Sequence, residues 1–168
     1  MKITSVYSGL IWGIVFVSMY LVGYIVGTGF MENLNWILII LGTTMLVYFG
    51  NQKKKSLEGY ISFGQSFGFM CLTVLIGLTV STSFNLLLFY VFDPGYMDHM
   101  KELAVDRAVE QSESRGASDE QIEMGLKFID FIFSWVGQLL FTGLWLLFWF
   151  VVSFICSLVI KKKRPEFA

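Results

Sequence analysis

Apolar residues in this chain gather in long, nearly unbroken runs separated by short polar clusters. Three runs, Val6 to Val26, Phe67 to Phe92 and Phe128 to Ile160, reach the ~20 residues that a helix rising ~1.5 Å per residue needs to cross a hydrocarbon core ~30 Å thick. The last is longer than a bilayer requires, so its excess must tilt or project. A fourth run, Leu34 to Gly50, sits near the ~17-residue lower limit and relies on Trp36 and Lys53 at the interfaces. The pattern predicts an all-α polytopic membrane protein with four antiparallel transmembrane helices at 6–26, 34–50, 67–92 and 128–160.

Only the stretch 93–127 shows the spacing of an amphipathic helix. Asp93 and Pro94 read as an N-cap and a first-turn proline, followed by Tyr96, Met97, Met100, Ala104 and Ala108 at steps of three and four. Gly116 breaks that helix. Ser118 with Gln121 forms a capping box that opens a second one, carrying Ile122, Met124 and Leu126 straight into the last run. The prediction is an acidic helical hairpin between the third and fourth spans.

Charge placement tests the span count independently, because Lys and Arg near span ends stay on the cytoplasmic side. Four spans with an inside start put Lys2, Lys53, Lys54, Lys55, Lys161, Lys162, Lys163 and Arg164 on one side. Glu32 and the acidic hairpin fall on the other. Removing Leu34 to Gly50 would separate the basic clusters across the membrane, so the lysines require the short span. Both termini are expected in the cytoplasm of a bacterial inner membrane, with the hairpin extracytoplasmic.

Composition agrees. With 55% hydrophobic residues and a mean hydropathy of +0.67, the chain is too apolar for an ordinary soluble fold. The net charge of −1 conceals the segregation just described and suggests no nucleic-acid partner. Cys71 and Cys156 lie inside apolar runs and read as small hydrophobes rather than as a disulfide. The first run is too long for a signal-peptide core and lacks an A-x-A-like site, so it reads as a span.

Small and polar residues inside the runs mark candidate surfaces. Gly9 and Gly13, Gly23 and Gly27, and Gly64 and Gly68 have the small-xxx-small spacing that lets two helix backbones approach, within one bundle or between copies. The third span carries Thr73, Gly77, Ser81 and Asn85 at steps of four, and the last carries Asp130, Ser134, Gln138 and Thr142. Asn85 and Gln138 are expected at similar depth, paired by a hydrogen bond, because an unpaired amide in hydrocarbon is costly. The two stripes form a packing seam or, in a sharper reading, line a substrate groove. Asp130 is the sole acid within the predicted spans and a candidate for proton or ion coupling.

Reactive constellations are missing from the sequence. There is no H-E-x-x-H, phosphate loop or C-x-x-C, and His99 is the single histidine. The hairpin acids, from Asp98 through Asp106 to Glu110 at steps of four, read as a solvated face rather than a metal site. No enzyme and no cofactor or metal is expected. The lysine clusters attract anionic headgroups, although their ordinary role is topology.

Ile61-Ser62-Phe63-Gly64-Gln65, Asp93-Pro94 and Lys161-Lys162-Lys163 together make the chain resemble an uncharacterised family of small four-helix bacterial membrane proteins, a domain of unknown function. The resemblance implies the same four-span layout with an insertion between spans three and four, and assigns no catalytic or binding residue. It also implies envelope biology, since such proteins are often encoded near glycosyltransferases. The function expected is that of an accessory or structural subunit, its partners the lipid bilayer and another membrane or envelope protein. The alternative is a small transporter or channel, built as a homo-oligomer around the polar stripes.

Overall fold

The computed structural model describes residues 3–162. Lys2, Lys163 and Arg164 lie outside them, as does the Glu32 side chain. Among the described residues the chain is all helix: α1 Ser5–Val26, α2 Thr28–Lys55, α3 Phe63–Leu87, α4 Pro94–Ser114, α5 Asp119–Phe133 and α6 Trp135–Ile160. A π-helical turn, Leu88–Phe92, extends α3.

Four helices are long and apolar enough to cross a membrane. They are Ser5–Val26, Asn33–Lys55, Phe63–Phe92 and Trp135–Ile160, with mean hydropathies of 2.1, 1.5, 1.9 and 2.4 over their most apolar windows. The run that falls short in apolar residues, 34–50, lies in a 23-residue stretch of helix long enough to cross because α2 continues helically through Asn51 and Gln52 to Lys55. No more than 33% of any of these windows is buried within the chain. Ile25 and Val159, 78% and 77% exposed, illustrate the consequence: such side chains need lipid or a partner to leave water.

The chain divides into two compact units. The first comprises α1, α2, α3 as far as Asn85, and α6 from Leu146. Its centre is aromatic: Trp12 stacks on Phe16 with centroids 3.6 Å apart, and Trp149 meets both edge-on. Trp12 and Trp149 are fully buried, as are Leu38, Leu46, Met70 and Val74. Glycine makes room for them. A side chain at Gly42 would collide with Trp149, one at Gly77 with Trp12, and one at Gly50 with Met70 and Ile160.

Two ties close the lysine end of this unit. Ile61 and Lys162 form an isolated antiparallel bridge, with N···O distances of 3.0 and 2.9 Å. Lys54 Nζ donates to the Ile160 carbonyl at 2.9 Å, placing a cation on the C-terminal end of α6, where the helix dipole favours one.

The second unit runs from Leu86 to Trp145. Within it α4 and α5 form a hairpin that buries no residue of its own. Gly116, at φ +68°, supplies the left-handed turn after α4. The capping box is formed: Ser118 Oγ accepts from the Gln121 amide and Gln121 Oε1 accepts from the Ser118 amide. Asp93 holds the cap position of α4 ahead of Pro94, but its carboxylate makes no capping hydrogen bond.

The helix does not run straight from the hairpin into the last span. Ser134 is extended, at ψ 157°, and divides the 128–160 run into α5 and α6. Its hydroxyl accepts from the Gly137 amide at 3.1 Å and donates to the Phe131 carbonyl at 2.6 Å, so one side chain satisfies groups on both sides of the break. Gly137 allows the break, since a Cβ there would strike the Phe131 carbonyl.

Candidate functional site

Glycines of the same spacing have opposite surroundings. Gly9 and Gly13 of α1 lie against α3: a Cβ on Gly9 would stand 2.9 Å from the Thr73 carbonyl oxygen, and one on Gly13 2.9 Å from that of Gly77. Thr73, Gly77 and Ser81 are buried. The small and polar stripe of the third span is therefore filled by α1, and the two helices run parallel along it. Gly23 is buried, and its carbonyl accepts the Gly27 amide at 2.9 Å. Gly27 ends α1 at φ +101°. Gly64 and Gly68 face open space, with nothing within 4 Å of an added Cβ.

The hydroxyls on the buried stripe stay local. Thr73 Oγ1 donates to the Phe69 carbonyl at 2.9 Å and Ser81 Oγ to that of Leu78 at 3.2 Å. Asn85 is different: its side-chain oxygen is buried and has no hydrogen-bond partner. Gln138 is occupied, its Oε1 accepting from the Tyr90 hydroxyl at 3.1 Å and its Nε2 donating to the Phe133 carbonyl at 3.5 Å. Tyr90 also stacks on Trp135 at 5.0 Å. Thr142 is exposed.

Asp130 belongs to the hairpin helix α5 rather than to a span, because the chain breaks at Ser134 before the apolar helix begins. It is exposed and pairs with Lys101 of α4, Nζ to Oδ1 2.7 Å. The hydrogen bond that Lys101 donates to Asp130, then the carboxylate's charge, hold the Lys101 ammonium above its ordinary range. On the same hairpin, burial and then the Asp93 charge push the Tyr96 phenol up. Among the described residues no three His, Cys, Asp or Glu side chains converge as a metal site would require, and Cys71 and Cys156 are free thiols.

The lysine end holds a feature that spacing alone does not reveal. A cavity of about 480 Å³ opens between the α2–α3 loop and Lys162, lined by Ser56, Glu58, Tyr60, Ser62, Gln65 and neighbours. Lys162 Nζ lies 5.4 Å from the centroid of the Tyr60 ring. Ser62 Oγ accepts from the Gln65 amide at 3.2 Å while Gln65 Oε1 accepts from the Ser62 amide at 3.1 Å, a reciprocal cap on the first turn of α3. Glu58 takes a left-handed conformation, φ +59°, which bends the loop around the cavity.

Four long apolar helices with lipid-compatible outer faces make this an all-α integral membrane protein. Residues 5–162 match the family described as Protein of unknown function (DUF4199), and the chain belongs to it. No curated protein matches the chain, and no solved structure does.

Proposed function

We propose that the chain is a non-enzymatic accessory or structural subunit of an assembly in a bacterial inner membrane or envelope. Its four helices cross the bilayer with both ends and Lys53–Lys55 in the cytoplasm, and the α4–α5 hairpin lies outside. The observation that carries this reading is the filling of the Thr73–Gly77–Ser81 stripe by Gly9 and Gly13. A stripe used to pack two helices of one chain is not a pathway lining, and the bundle centre is taken by Trp12, Phe16 and Trp149. The unspent surface is elsewhere. The hairpin buries nothing and exposes Met124, Phe128 and Phe131, which suits contact with another protein or with the bilayer surface.

The test is purification in a gentle detergent, with the wild-type chain beside Phe128→Ser and Phe131→Ser. The expected result is one unrelated membrane protein at fixed stoichiometry, lost from the variants while the chain itself stays folded. A pure homo-oligomer that passes solute in liposomes would overturn it.

A second reading, a small transporter or channel-like homo-oligomer, is favoured by Asn85, whose buried amide oxygen lacks a partner. Under that reading Asn85→Leu abolishes flux with assembly intact.

A further inference from the structure

We infer that a groove between α1 and α2 at the lysine end holds an acyl chain of an anionic phospholipid, with the headgroup phosphate at Lys55. The groove, about 570 Å³, is lined by Ile3, Tyr7 and Ile11 on the α1 side and by Met45, Tyr48 and Gln52 with their neighbours on α2.

Its length selects a lipid tail over a helix of another protein. On α2 the lining runs from Thr44 to Gln52, about 12 Å of helix, which is close to one leaflet of a hydrocarbon core ~30 Å thick. A partner helix crossing the bilayer would need a face along the whole core. The hydrogen bond from Trp12 Nε1 to the Gly42 carbonyl, 3.3 Å, ties α1 to α2 just beyond Ile11 and closes the groove at the end away from the lysines.

Polarity changes along the groove as it does along a phospholipid. Ile11 and Met45 stand at the closed end, where the Thr44 hydroxyl is committed to the Ile40 carbonyl at 2.8 Å. Toward the lysines comes Tyr48, whose hydroxyl accepts from Gln52 Nε2 at 3.2 Å, and then Lys55. Tyr48, Gln52 and Lys55 recur at four and three, so they follow one side of α2 out of the apolar part.

Charge selects the headgroup. Among the described residues no Asp or Glu lines the groove, so an anion meets no opposing carboxylate there. Of the three lysines that end α2, Lys54 donates to the Ile160 carbonyl and Lys53 lies 5.7 Å from the centroid of the Phe69 ring. Lys55 is exposed and forms no ion pair among the described residues. Lys55 attracts the phosphate of any phospholipid, but the ammonium of a choline or ethanolamine headgroup brings a second charge that meets only further lysines. A glycerol headgroup carries no such charge and keeps the full attraction.

The experiment uses the full chain in detergent micelles, titrated with phosphatidylglycerol, phosphatidylethanolamine or phosphatidylcholine and read by native mass spectrometry. Phosphatidylglycerol is expected to bind about fivefold tighter than the other two, the factor that one lysine at a membrane surface supplies, and Lys55→Gln is expected to erase that preference. Lys161→Gln removes an exposed lysine from the end of α6 and should leave the preference in place. Met45→Trp fills the closed end and should weaken all three lipids alike, with Lys55 intact. Unchanged helical circular dichroism keeps these losses distinct from unfolding. Equal binding of the three lipids to the wild type would overturn the headgroup assignment, and so would a loss in Lys161→Gln as large as in Lys55→Gln. Full binding by Met45→Trp would remove the groove as the site. None of these outcomes bears on the subunit reading, whose test is the hairpin.

Discussion

Trp12 occupies the space that a side chain on Gly77 would need, and from that position its Nε1–H reaches the Gly42 carbonyl at 3.3 Å. One indole thus joins three helices: it stands on α1, presses on bare backbone of α3, and hydrogen-bonds α2. Adding a methyl at Gly77 forces the ring out of this position. Gly77→Ala is expected to destabilise by about 1–3 kcal/mol, whereas Gly64→Ala, in open space on the same helix, gains about 0.5–1 kcal/mol of helix propensity. Denaturation in mixed micelles, followed by tryptophan fluorescence, checks the opposite signs.

Trp149 is the other half of the centre. Truncation to alanine removes a fully buried indole and leaves a void against Gly42, Trp12 and Phe16. The expected cost is about 3–5 kcal/mol by the same assay, and equal stability of Trp149→Ala and wild type would contradict the packing described.

The four long apolar helices were legible in the sequence, because lipid imposes a length and that constraint acts on hydropathy directly. The Ser118–Gln121 box was legible too, since capping is local. What spacing hid was the partner of each face. Thr73, Gly77 and Ser81 share a side of α3 whatever lies opposite, and nothing in their period distinguishes α1 from α6 as the neighbour. Likewise Gly9–Gly13 and Gly64–Gly68 are identical as patterns, yet one pair is covered and the other bare. The break at Ser134 was masked by the apolar residues on both sides of it, and so Asp130 was counted with the span. The cavity needed Lys162, distant in sequence, to be brought to the Ser56–Gln65 loop.

That break makes its own prediction. Gly137→Ala is expected to disturb the α5–α6 junction more than Ser134→Ala, which loses a cap for about 1 kcal/mol, because the methyl meets the Phe131 carbonyl directly. Spin labels at Leu126 and Leu140 would report a changed separation in the first variant and little change in the second.

The hairpin clasp titrates. Lys101 has its ammonium favoured in the folded state by Asp130, so its contribution is complete at neutral pH and is lost as pH rises through that elevated range. Spin labels at Ala104 and Leu126 are expected to separate at strongly alkaline pH. In Asp130→Asn the pair is absent at every pH, so the labels should already stand further apart at neutral pH and the alkaline step should vanish; a step that persists would remove the pair as its cause.

Sidedness is checked by cysteine labelling. Lys55→Cys is expected to react only from the cytoplasmic face and Glu110→Cys only from the opposite one. Reaction of both from a single side would refute the four crossings.

Because the ring that fills the space over Gly42 arrives on α6, the first three helices cannot complete their own interior. During synthesis they are made with an indole-sized space between them that stays unfilled until the hairpin and α6 follow. The last helix acts as a keystone: a chain interrupted before Trp149 lacks the ring that closes the space over Gly42 and lies against Trp12 and Phe16.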